Sequence, residues 1–156
     1  MAEALVNVRN REAHLDWGYD DFYAYDRVYH PGPDCFVDRE CMRMEAEETI
    51  KTHYPLGLQS ISHSFNQYPW VELESGWGIA HRNWLTEPPD TSSDLVMVDG
   101  QLFMSILLPR DAGYYRLQAM WMVYTQDAVG EDALYALTTN TLAGKAEDVD
   151  EYLDEH

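Results

Sequence analysis

Apolar and polar positions change their period about a third of the way along the chain, from roughly 3.6 to 2. From Ala4 to Leu15 the apolar residues Leu5, Val8 and Leu15 share one side of a helix, which Gly18 interrupts. Asp20 or Asp21 can cap a second helix that carries Phe22, Tyr25, Val28 and Tyr29 at helical spacing, and Pro31, Gly32 and Pro33 end it. Cys35-Phe36-Val37 reads as a short strand, and an acidic helix follows from about Met44 to Tyr54, stopping at Pro55.

Beyond that point alternation takes over. Ile61, His63 and Phe65 alternate with Ser60, Ser62 and Ser64, which predicts a half-buried strand with the serines on its outer face. Trp70 to Leu73 extends or follows it, and Trp77 to Leu85 is a further strand. Glu87 to Ser93 is a loop with two prolines. Leu95 to Val98 and Leu102 to Leu108 form one or two more strands, with Asp99-Gly100 as a turn. Arg110 to Gly113 is a hairpin connection into a long strand, Tyr114 to Tyr124. That strand has one face of Tyr114, Arg116, Gln118, Met120 and Met122, as a ligand pocket or a solvated surface would have. Its other face, Tyr115, Leu117, Ala119, Trp121 and Val123, is continuously apolar and suits a core or a subunit contact. Helices first and an antiparallel sheet afterwards is an α+β order, with residues 1–145 as one domain and 146–156 as an acidic C-terminal tail.

Composition narrows the partners. The 156 residues suit one domain with one core. Ten basic against twenty-eight acidic residues, a formal charge of −18, argue against nucleic acid or an anionic membrane. Eleven Tyr, five Trp and seven Met exceed what a minimal core requires and point to an aromatic-lined pocket or a wide subunit interface. No signal peptide or membrane-spanning run is expected, so the chain is assigned to the cytoplasm with Cys35 and Cys41 as free thiols. The spacing of His30, Cys35 and Cys41 fits no metal-ligand pattern, and no phosphate-cradling loop or nucleophile elbow is present.

Two residues carry candidate proton-transfer chemistry. Asp16 sits where the first helix turns into the second, and His63 shares a strand face with Ile61 and Phe65. Around them, Leu15-Asp16-Trp17-Gly18-Tyr19-Asp20 with Tyr29-His30-Pro31 and Asp34, then Glu47 to Ile50, Ser62 to Asn66 and Asp111 to Leu117, resemble in order and spacing the polyketide-cyclase-like (SnoaL-like) branch of the nuclear transport factor 2-like superfamily. The resemblance covers about residues 4–125. It implies a cone of three N-terminal helices packed on a curved antiparallel sheet enclosing a pocket.

By the same resemblance Asp16 orients His63, which acts as general base in a cofactor-independent lyase, dehydratase or isomerase. The substrate would be a small hydrophobic or aromatic compound. Arg116 or Tyr23 would polarise a substrate oxygen, and Trp17, Phe65, Trp84 and Met120 would line the pocket. Two departures stand out: Arg11 occupies the position of an assisting tyrosine or lysine, and His81-Arg82-Asn83 stands where the family's epoxide hydrolases carry Arg-x-Asp. The alternative is a non-catalytic module that binds a small molecule or dimerises. Either way the apolar sheet face predicts a homodimer or homotrimer.

Overall fold

The computed structural model describes residues 22–54, 58–91, 98–110 and 113–124, with Asp132, Tyr135, Ala136, Thr139 and Ala143 as scattered helical positions beyond them. These residues build a seven-stranded antiparallel sheet: β1 (Phe22–His30), β2 (Arg43–Tyr54), β3 (Leu58–Leu73), β4 (Gly76–Leu85), β5 (Asp90–Thr91), β6 (Val98–Arg110) and β7 (Gly113–Tyr124). The spatial order is β1-β2-β3-β4-β6-β7, with β5 pairing β3. One short helix, α1 (Pro33–Val37), interrupts the strands. The architecture of three helices packed on a sheet is therefore overturned. Its first helix, the Asp16 turn and the acidic tail lie outside the described residues, but its second and third helices are strands β1 and β2.

The reason lies in the pairing. Glu, Ala, Met and Lys give Arg43–Tyr54 good helix propensity, yet the segment is hydrogen-bonded along both edges, to β1 from Phe22↔Thr52 to His30↔Glu45 and to β3 from Arg43↔Pro69 to Tyr54↔Leu58. Two ladders outweigh a propensity of a few tenths of a kcal/mol per residue. In β1 the apolar residues at helical spacing are also aromatic and β-branched, the types a pleated surface favours.

Between β1 and β2 the chain turns through a cis His30–Pro31 bond and α1, whose Gly32 cap precedes Pro33 in the first turn. The predicted strand at Cys35–Val37 is thus helical. Asp38 N–H donates to Asp34 O (3.0 Å) and Arg39 N–H to Phe36 O (3.1 Å), closing the helix with Arg39 in the left-handed region at φ 58°. Cys35 and Cys41 are joined in a disulfide, which corrects the expectation of free thiols. Phe36 is fully buried at the centre of the apolar core with Met44, Ala46, Tyr68, Ile79 and Leu107, and Trp70 Nε1–H donates to its carbonyl (2.9 Å).

The predicted strands at 77–85, 102–108 and 114–124 are present, and the alternating run at 60–65 forms one strand with 70–73. Glu74-Ser75 make a tight turn into Gly76, whose φ of 122° is one that side-chain-bearing residues rarely adopt. Gly78 lets β4 approach β6 closely: a Cβ there would stand 2.6 Å from Leu107 O. At the other end of β4, Ser64 pairs Leu85 but Ile61 pairs Asp90, so the chain gains two residues on β3 while passing Pro88 and Pro89. Thr86 bridges this break by donating from N–H (3.0 Å) and Oγ1 (3.2 Å) to His63 O.

Candidate functional site

Alternation and register sort the strands onto two faces, and the buried one carries many polar side chains beside its apolar core. The buried face carries Arg27 and Tyr29 from β1, Ala46 and Glu48 from β2, and Ser64, Asn66 and Tyr68 from β3. It continues with His81 and Asn83 on β4, Phe103 and Ser105 on β6, and Gln118 and Met120 on β7. Asn66 is 1% exposed, Glu48 and Ser105 6% and Ser64 7%. Buried polar groups at this density are tolerated only where they bond one another.

Most do. The Glu48 carboxylate forms a buried ion pair with Arg27 through Oε1. Its Oε2 accepts from Ser64 Oγ (2.9 Å) and Asn66 Nδ2 (3.1 Å). A carboxylate only accepts, so Glu48 fixes which way the Asn66 amide points: Nδ2 toward the carboxylate, Oδ1 away from it. That Oδ1 accepts from Asn83 Nδ2 (3.0 Å) and Tyr68 Oη (3.4 Å) and lies 2.9 Å from His81 Nε2. An amide oxygen cannot donate, so His81 carries its hydrogen on Nε2, and its Nδ1 is the basic nitrogen of the neutral ring. The imidazole is stacked on Tyr68 (centroids 4.4 Å, 9° between planes) and meets Phe103 at 5.5 Å with the rings tilted by 58°.

The next two positions across the sheet from His81 are Ser105 and Gln118, paired in register. Their Ser105 Oγ and Gln118 Oε1 are buried and, among the described residues, make no hydrogen bond. Asn66, Asn83, Phe103 and Met120 form the adjoining row on one side, and Ile79, Leu107 and Arg116 the row on the other. Together these rows place hydrogen-bonding groups between Phe103 and Met120 on one side and Ile79 and Leu107 on the other.

The residues singled out from sequence divide between the faces. Arg116 and Met120 are on the buried face, the mixed face of β7 that resembled a pocket wall. His63, Phe65 and Trp84 are on the opposite face: His63 Nδ1 lies 3.0 Å from Thr49 Oγ1, and the Phe65 and Trp84 rings meet at 5.1 Å. The sheet therefore separates His63 from Arg116 and Met120. Asp16 and Trp17 lie outside the described residues, as does the side chain of Tyr23. The serines assigned to the outer face of β3 are reversed, since Ser62 and Ser64 share the buried face with Asn66.

Sequence reasoning missed Glu48, Asn66, His81, Ser105 and Gln118 as one group. One signal was available in His81-Arg82-Asn83, where two hydrogen-bonding residues alternate around a charge that faces outward, donates to Gln67 Oε1 and lies 5.3 Å from the Trp84 ring. Among the described residues no cluster of His, Cys, Asp and Glu could hold a metal ion, and no helix is long and apolar enough to cross a membrane. No family model, curated protein or solved structure matches this chain.

Proposed function

We propose that the protein binds a small aromatic molecule bearing a hydrogen-bond donor, seated on the buried face against the His81–Ser105–Gln118 row. The observation that carries this reading is the neighbouring pair Ser105 Oγ and Gln118 Oε1, buried and unbonded beside a network in which Glu48, Ser64, Asn66 and Asn83 bond one another. A carboxamide oxygen calls for a donor, and a hydroxyl serves as donor or acceptor. Phe103, Leu107 and Met120 in the flanking rows supply apolar contact.

Native mass spectrometry for a co-purified compound, followed by calorimetric titration with phenol and benzamide as minimal probes, tests it. Binding that Gln118→Leu and Ser105→Ala each weaken by about tenfold, the worth of one hydrogen bond, supports the site. Binding that neither substitution changes, or no binding by either probe, overturns it.

A second reading keeps proton-transfer chemistry on a small hydrophobic or aromatic compound, as lyase or isomerase. The Glu48–Asn66–His81 chain favours it, because it fixes the tautomer a histidine needs to act as a base through Nδ1. In this reading His81 takes the proton, whereas the sequence pointed to His63 with Asp16. The two assignments separate cleanly: turnover lost in His81→Gln and kept in His63→Ala assigns the base to the buried face, and the converse returns it to His63.

A further inference from the structure

We infer that a second copy of this chain docks on the outward face of β6 and β7. On β7 that face consists of Tyr115, Leu117, Ala119, Trp121 and Val123. On β6 it adds Leu102, Met104, Ile106 and Leu108, which pair with Trp121, Ala119, Leu117 and Tyr115 in register. Nine consecutive positions of a two-stranded surface are thus uncharged, in a chain with twenty-eight acidic residues. Arg110 alone closes one end, its guanidinium 4.8 Å from the Tyr115 ring.

The other half of the same face is built differently. There Asp26 stands on β1, Arg43, Glu45, Glu47 and Lys51 on β2, and Arg82 on β4. A face that meets lipid would exclude charges from every strand. Here charges stand on β1, β2 and β4, while on this face β6 and β7 carry none short of Arg110. The arrangement fits a contact confined to two strands.

The available area matches a modest protein interface. Tyr115, Leu117, Trp121 and Val123 are 57%, 59%, 55% and 60% exposed and Met104 44%. Applied to side chains of up to ~150–250 Å², these fractions leave on the order of 600 Å² of apolar surface per copy. Two copies packed face to face would remove on the order of 1,200 Å², the lower end of stable interfaces. The patch is self-complementary. Two chains of −18 repel over the rest of their surfaces, and this uncharged patch is where they can approach without burying carboxylates. A twofold axis sets the patch against itself, apolar on apolar.

Sedimentation equilibrium of the full chain, from micromolar to hundreds of micromolar, is expected to show twice the 18.1 kDa mass of one copy. Added salt should tighten association, because it screens the repulsion between the copies. Leu117→Ser and Trp121→Ser should each weaken it on the order of 100-fold, since each change counts twice across the axis. Both side chains are more than half exposed in one copy, so circular dichroism should show the fold retained. Lys51→Ser, on the charged half of the same face, should leave the dimer intact. A monomer at every concentration and salt level overturns the inference, as does a dimer that both serine substitutions leave unchanged. Flotation of monomer with vesicles of neutral lipid also overturns it, in favour of a lipid surface.

Discussion

Replacing Glu48 by Leu tests whether the buried network holds the sheet together. The substitution removes the anion paired with Arg27, at a site where both side chains are 6% exposed, and it removes the acceptor of Ser64 Oγ and Asn66 Nδ2. Breaking a buried pair from one side costs about 3–5 kcal/mol. Each of the two donors adds about 1 kcal/mol, while the leucine recovers about 1.5–2 kcal/mol by burying apolar surface. The net loss is about 3–5 kcal/mol, a large share of the roughly 5–15 kcal/mol that holds a domain together.

Urea unfolding followed by circular dichroism reads this as a midpoint lower by about 2 M, at the slope usual for a chain of this size. The charge contribution is isolated by adding Arg27→Met. If removal of the carboxylate facing Arg27 causes most of the loss, the double variant recovers at least about 2 kcal/mol over Glu48→Leu alone. A single variant that loses less than about 1 kcal/mol, or a double variant no more stable than the single one, refutes the account of Glu48 as the hub.

Two further outcomes follow from the fold. Gly78→Ala puts a methyl group 2.6 Å from Leu107 O, a backbone atom that moves only if β4 and β6 separate, so thermal unfolding should show a loss of about 2 kcal/mol or more; an unchanged melting temperature would contradict this contact. Reducing Cys35–Cys41 opens a loop of sequence separation 6 and should cost about 2 kcal/mol in urea unfolding, while maleimide should label neither cysteine before reductant is added.

How much of this was legible in the sequence depended on which partner each segment met. Strands β4, β6 and β7 were readable because apolar and aromatic residues fill them and turn residues bound them. In β2 the inward set Met44, Ala46, Glu48 and Ile50 includes an acid, so the period-two signal was broken at the position that matters most. Glu48 looks like a solvated helix residue until Arg27, twenty-one positions earlier, is brought beside it. The faces of β3 were read the wrong way round for the same reason. Hydrophobic-in, polar-out assigns Ile61, His63 and Phe65 to the interior, whereas the interior here is a hydrogen-bonded network that accepts serine and asparagine. On β7 the mixed face was left open between pocket and solvent, and cross-strand partners decide it: Gln118 lies beside Ser105, and Met120 beside Phe103.

The order of the strands also bears on how the chain reaches this state. From β1 to β4 every strand pairs with its immediate predecessor, and β6 with β7 makes another adjacent hairpin. The step from β4 to β6, residues 86–97 with the short β5 among them, is as long in the chain as residues 31–42 between β1 and β2. Loop-closure entropy is therefore met in small instalments, and each hairpin offers the next strand a ready edge. An all-antiparallel sheet of this kind can zip outward from the β2–β3 pair without waiting for distant ends of the chain to meet. Seating Arg27 and Glu48 together as β1 closes onto β2 is then itself a local event, between residues twenty-one positions apart.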